Sequence, residues 1–181
     1  MEHKDEKNND EMNMDESEEM QENKYKVNNQ ENLETEIITK YQNKINIEQS
    51  FNSGVGWFYW IAGLSIINTI AFVVGYDWSF IFGLGITQLI DYIAYEMMGG
   101  ISFLAIILDF IIAGIFIIIG YFAKRYRNNW IIVIGLTLYT LDAFIFIFIS
   151  DWASVAFHAW AIYGIFKAIG ANKKLLEIER A

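Results

Sequence analysis

Five long apolar segments in the second part of the chain restrict its fold more than any other feature. They cover residues 57–75, 80–98, 101–123, 130–150 and 153–170. A helix needs about 20 residues to cross the hydrocarbon core of a bilayer, where every backbone polar group must be bonded within the protein. The segments therefore predict an all-α integral membrane protein, and they exclude a soluble single domain.

The charged residues divide the chain into unlike parts. Residues 1–50 hold 14 acidic and 6 basic side chains, whereas residues 51–181 hold 8 acidic and 7 basic ones. Because such an acidic segment buries too little apolar surface to offset the entropy of ordering, residues 1–50 are predicted to be a largely disordered cytoplasmic tail. Apolar residues at every fourth position predict one short helix within residues 30–48. Residues 51–172 form the predicted helical bundle, and residues 173–181 form a short charged cytoplasmic tail.

The second apolar segment leaves two topologies open. It contains Gln88, Asp91 and Glu96, so it suits an interfacial or re-entrant helix better than a full crossing. In that arrangement four transmembrane helices form an antiparallel bundle, both termini are cytoplasmic, and all nine basic residues near the membrane lie inside. The alternative, five transmembrane helices, places two of those nine outside and exports the tail. Since basic loops remain on the cytoplasmic side, we favour the first topology. The plasma membrane is the expected location.

Four polar side chains lie inside the predicted spans, where an ionisable group costs about 2.5–3.5 kcal/mol by insertion scales. They are Asn68, Asp109, Asp142 and His158. Each shares a helical face with small residues, which line helix contacts in membranes. A rise of about 1.5 Å per residue puts all four in the same half of the bilayer. Asp91 joins them if the second segment packs over the mouth of the bundle, so these five residues are the candidate ligands.

Two functions of different class fit these residues. Carboxylates, an imidazole and an amide suit a metal ion of unspecified identity, and paired carboxylates or a histidine suit a proton-coupled step. The first hypothesis is a small transporter, cation- or proton-coupled, whose four short helices favour a homodimer. The alternative is a non-catalytic scaffold, assembly or regulatory protein. Its acidic tail would bind a cytoplasmic protein partner, and its polar groups would only hold helices together.

Missing motifs narrow the function further. The chain has no cysteine, which excludes thiolate chemistry and cysteine metal sites. It has no HExxH or GxSxG motif, so no catalytic residue and no cofactor are predicted, and an enzyme is disfavoured. It lacks a dense basic patch, so nucleic acid is not an expected partner. The lipid bilayer is the partner that the composition requires.

Overall fold

The computed structural model of the chain describes residues 3–75, 83–99 and 102–180, and these residues are built from helices. No strand occurs among them, so the all-α prediction is confirmed for this part of the chain. The five helices are α1 (His3–Val74), α2 (Gly85–Met98), α3 (Phe103–Tyr126), α4 (Asn129–Phe148) and α5 (Trp152–Arg180). Residues 80–82 and residue 101 of the predicted apolar segments lie outside the described residues.

Three helices are long and apolar enough to cross a membrane, which agrees with the prediction of a membrane protein. They are α3, α4 and the stretch Asn23–Val74 of α1. α5 carries His158 and Lys167 in its apolar part and is not among the three. It continues through the predicted C-terminal tail as far as Arg180. α2 has 14 residues, which at about 1.5 Å per residue falls well short of a hydrocarbon core of about 30 Å.

The chain separates into two compact units, one ending at Ile45 and one starting at Asn46. The described residues of the first unit all belong to α1, and its side chains from Asn23 to Asn43 are exposed. A helix without a packed face is held only by its own hydrogen bonds and is marginal in water. Disorder of the acidic tail therefore stays a prediction, and the short helix expected within residues 30–48 falls inside α1.

Glycines let the helices of the second unit approach each other closely. Gly135 of α4 faces Phe58 of α1, and a Cβ atom at Gly135 would lie 2.6 Å from a carbon of that ring. A Cβ atom at Gly54 of α1 would lie 2.6 Å from the backbone oxygen of Gly164 on α5. Small residues at helix contacts allow such approach in membranes, so α1 packs directly against both α4 and α5.

Side chains from α1 and α5 fix the turn between α3 and α4. Arg127 ends α3 with a left-handed φ of 48°, a conformation that costs a non-glycine residue roughly 1–2 kcal/mol. Its guanidinium group pairs with Glu48 of α1 and Glu179 of α5. Its backbone oxygen accepts a hydrogen bond from Nδ2 of the buried Asn172 at 2.6 Å. We call this part of the molecule, the turn at Arg127 with its bonded neighbours, the basic end.

Candidate functional site at the carboxylate end

Asp142 of α4 binds the first turn of α2. Its Oδ2 accepts a hydrogen bond from the backbone N–H of Gly85 at 2.8 Å, and its Oδ1 accepts one from that of Ile86 at 2.9 Å. The first N–H groups of a helix have no partner within the helix and carry partial positive charge, so a carboxylate stabilises them. Gly85 also lies against Phe146, whose ring carbon would be 2.7 Å from a Cβ atom there. α4 therefore holds the start of α2 through a side chain and a close contact.

The residue before α2 is bonded to α1 deep within the helix packing. Leu84, which is fully buried, donates its N–H to Oγ of Ser65 at 2.8 Å. Ser65 precedes the end of α1 by nine residues, which is about 14 Å along the helix. Near its other end, α2 places the ring of Tyr95 6.2 Å from that of Phe72, two residues before α1 ends. α2 thus runs from the interior back towards the end of α1.

His158 of α5 is the third group bonded to Asp142. Its Nε2 lies 3.2 Å from Oδ2 of Asp142, and its Nδ1 lies 2.8 Å from the backbone oxygen of Ser154. The ring stacks on Tyr139 with 4.4 Å between centroids, and the side chain is fully buried. Asp151 accepts hydrogen bonds from the N–H and the hydroxyl group of Ser154. These bonds fix the first turn of α5 and the carbonyl group that orients His158.

The bonding partners of His158 determine how many protons the pair holds. A carbonyl oxygen only accepts hydrogen bonds, so Nδ1 must carry a hydrogen atom. Nε2 then faces a carboxylate oxygen, and the two bond only if one further proton lies between them. The pair is either imidazolium with carboxylate or imidazole with carboxylic acid. In both forms the Asp142–His158 pair has no net charge, because the two side chains share one proton.

A second acidic pair lies between α2 and α3. The carboxyl groups of Asp91 and Asp109 lie beside each other, and two carboxyl groups in such proximity favour sharing one proton. Oδ2 of Asp109 also accepts a hydrogen bond from the hydroxyl group of Thr69 on α1 at 3.0 Å. We call the part of the molecule that contains this pair and the Asp142–His158 pair the carboxylate end.

Several buried polar atoms at the carboxylate end have no hydrogen-bond partner among the described residues. They include Oδ1 of Asp91, Oδ1 of Asp109 and the hydroxyl group of Tyr139. Roughly 90% or more of buried polar groups are bonded in native proteins, and leaving one unbonded costs about 1–3 kcal/mol. Oδ1 of the buried Asn172 at the basic end is unbonded as well. Such atoms can therefore take a further hydrogen-bond donor at either end of the second unit.

A cavity of about 320 Å³ adjoins Asp142. Apolar side chains of α2, α3 and α4 form its walls, among them Ile86, Phe116 and Leu138, and Asp142 supplies the charged group of the lining. Leu138 and Leu141, also in the wall, are exposed on the surface of α4. Because apolar walls screen charge weakly, a carboxylate in this position attracts a proton or cation strongly.

The structure distributes the five predicted residues over three places. Asp142 pairs with His158, Asp91 pairs with Asp109, and the amide group of Asn68 packs against the backbone of the loop before α2. Within the described part of the chain, no three His, Asp or Glu side chains come together in a way that could hold a metal ion. The geometry at hand is therefore that of two pairs of side chains.

Sequence reasoning missed the groups that bind these side chains. They are the backbone N–H groups of Gly85 and Ile86, the hydroxyl groups of Ser65 and Thr69, and the ring of Tyr139. Two signals were present in the sequence. Ser65 and Thr69 are four residues apart and so share a helical face, and glycine at position 85 permits a close approach of backbone to a neighbour.

No protein-family model, curated protein or solved structure matches the chain. The function is therefore argued from the carboxylate end itself. It contains the Asp142–His158 pair, the Asp91–Asp109 pair, an apolar cavity beside Asp142, and a short helix whose first turn is bonded to a carboxylate.

Proposed function

We propose that α1, α3, α4 and α5 cross the plasma membrane and that α2 is a re-entrant helix. Two observations support this topology. α2 is too short to span the bilayer, and it starts beside Ser65 but ends beside Phe72, so it enters and leaves near the same end of α1. In this topology both termini and the basic end face the cytoplasm, as the distribution of basic residues favours. The carboxylate end then lies in the outer half of the membrane.

We propose further that the protein is a proton-coupled transporter in which Asp142 and His158 hold the coupled proton. The observation that carries this proposal is the contact of 3.2 Å between Nε2 of His158 and Oδ2 of Asp142, two buried groups that bond only through a shared proton. When the proton leaves, the pair acquires a negative charge among apolar side chains, which is costly. A monovalent cation that takes the place of the proton beside Asp142 restores neutrality. Proton release is thereby coupled to cation binding.

The start of α2 provides the structural response to this exchange. The carboxylate that shares the proton also accepts hydrogen bonds from Gly85 and Ile86. A change of charge on Asp142 alters the strength of both bonds, since charged acceptors bind N–H groups about twice as strongly as neutral ones. Asp91, further along α2, belongs to the second proton-holding pair with Asp109. A shift of α2 would therefore change both pairs together, which is the behaviour that alternating access to a site requires.

Proton flux in liposomes tests the proposed transport. Full-length protein is reconstituted with an entrapped pH-sensitive dye, and an outward gradient of sodium, potassium or a lipophilic organic cation is imposed. At least one gradient should drive proton entry faster than in protein-free liposomes. Asp142→Asn should reduce the rate to that of protein-free liposomes, because an amide group, unlike a carboxyl group, does not release and take up a proton.

Thr137→Val is the matched control for this experiment. Thr137 lies on the same helix as Asp142, but it is exposed and its hydroxyl group bonds only to the backbone oxygen of Val133 in its own helix. This variant should transport at the wild-type rate. Wild-type flux in a folded Asp142→Asn protein would contradict the role of Asp142. Flux no faster than in protein-free liposomes under every gradient would contradict transport itself.

A second function is favoured by a different observation, the exposure of the acidic tail. The side chains from Asn23 to Asn43 are exposed, and residues 1–50 hold 14 acidic against 6 basic side chains, a balance that suits a basic cytoplasmic protein. In this alternative the protein is a scaffold or regulatory subunit, and Asp142 only positions α2. A photo-crosslinker at a cysteine placed at Glu36 should then capture one partner. Replacing Glu31 and Glu34 with Gln should abolish that capture, whereas proton flux should be absent.

A further inference from the structure

The basic end carries a groove that the proposed transport does not use. The groove measures about 560 Å³ and lies between the start of the second unit on α1, near Ser50, and the C-terminal half of α5. Three lysines line it, Lys167, Lys173 and Lys174, and all three are exposed. The groove is therefore a concave surface with a high local density of positive charge.

Two carboxylates at this end of the molecule are already bound to Arg127, and a third, Glu177, lies about one helical turn beyond Lys173 and Lys174. Glu48 and Glu179 both pair with Arg127, and Asn172 is bonded to the backbone of Arg127 and to Asn129. Among the described residues no carboxylate lies within ion-pair distance of the three groove lysines. The charge of Arg127 is thus compensated by two carboxylates, whereas the ammonium groups of the groove are exposed and can bind a ligand.

Aromatic side chains lie directly beside these amines. The Nζ atom of Lys167 sits 5.7 Å from the ring centroid of Tyr163, an arrangement that fixes the position of the amine. Phe166 also lines the groove and is 63% exposed. A surface that offers both ammonium groups and exposed aromatic rings matches a ligand with a negative head and an apolar body.

The hydrogen bond made by Asn172 shows how far along the helices the groove lies. Because Asn172 bonds the turn between α3 and α4, the neighbouring Lys173 and Lys174 lie at the level where two membrane-spanning helices end. Lys167 lies five residues before Asn172, about 7.5 Å further into the span. A phosphate group of a phospholipid lies at the level of the first two amines, and the start of its acyl chains lies at the level of Phe166 and Tyr163.

We propose that this groove binds an anionic phospholipid, with its phosphate on Lys173 and Lys174 and its first methylene groups against Phe166. Basic pockets between transmembrane helices on the cytoplasmic side recognise such headgroups, and each lysine near the surface contributes about fivefold in affinity. The site is independent of the carboxylate end, so it stands whether or not the protein transports protons.

Lipid titration of the full-length protein tests the proposal. Phosphatidylglycerol and phosphatidylcholine with the same acyl chains are added to the protein in a neutral detergent, and bound lipid is counted by native mass spectrometry while the unfolding midpoint is recorded. Phosphatidylglycerol should bind in one saturable step and raise the midpoint, and phosphatidylcholine should do neither. Glycerol phosphate, which has the headgroup without acyl chains, should also leave the midpoint unchanged.

A pair of double variants supplies the matched control. K173Q/K174Q should weaken phosphatidylglycerol binding about 25-fold, at about fivefold per lysine. K124Q/R125Q removes the same charge at the same end of the molecule from exposed residues outside the groove, and it should weaken binding less than twofold. Equal losses in the two variants would overturn the groove as the site. Equal stabilisation by glycerol phosphate would mean that the ligand of the groove is a free phosphate compound and not a lipid.

Discussion

The two ends of the second unit neutralise their charges in different ways. At the basic end, Arg127 is balanced by two carboxylates, and its side chain remains 28% exposed. At the carboxylate end, Asp142 and His158 are almost completely buried, and the contact between them requires a shared proton. Exposed ion pairs are weakened by water and contribute little stability, whereas a buried contact is costly to break. The two ends should therefore differ in how much each contributes to stability.

Labelling from the two sides of the membrane gives the largest expected difference between the two ends. The chain has no native cysteine, so single cysteines at Ser150 and Asn128 report one end each. In the proposed topology a membrane-impermeant maleimide added outside intact cells labels Ser150→Cys completely and Asn128→Cys not at all. Labelling of position 128 from outside would mean that the protein has the opposite orientation in the membrane to the one proposed.

Removing Asp142 should cause the largest loss of stability at the carboxylate end. Asp142→Ala leaves the N–H groups of Gly85 and Ile86 and the imidazole of His158 without their shared partner. Breaking a buried pair of this kind costs about 3–5 kcal/mol. Equilibrium unfolding in mixed micelles measures the loss, with Thr137→Val as the control that should stay within about 0.5 kcal/mol of wild type. A loss below about 1 kcal/mol would mean that Asp142 does not hold α2.

The smallest effect is expected at the basic end. Arg127→Gln removes two ion pairs, but the carboxyl side chains of Glu48 and Glu179 are 44% and 43% exposed. Exposed pairs contribute about 0–1 kcal/mol because water screens them. The variant should therefore unfold within about 1 kcal/mol of wild type at every pH. A loss as large as that of Asp142→Ala would erase the distinction between the two ends.

The helices themselves follow from the apolar segments, and the structure places α3 and α4 within three residues of the predicted limits at each end. The faces of Asp142 and His158 were also predictable, because small residues at helical spacing accompany each of them. Their partners were not. Spacing within one helix assigns a face, but which side chains meet across two helices depends on crossing angles and on where the chain turns back.

The start of α2 illustrates that limit. Gln88, Asp91 and Glu96, with Gly83 and Gly85, made the second segment ambiguous, yet nothing local indicates that Gly85 lies beside a residue of α4. The contact joins positions 57 residues apart. Long-range contacts of this kind are properties of the assembled bundle.

That separation along the chain also bears on how the protein is made. Gly85 leaves the ribosome well before Asp142, so during synthesis the first turn of α2 has no carboxylate to accept its N–H groups. A helix with unbonded N–H groups is poorly soluble in hydrocarbon. In the proposed topology α2 would therefore stay near the membrane surface, or within the insertion machinery, until α4 has been delivered. The last step of assembly in this half of the protein would then be the docking of an early helix onto a late one.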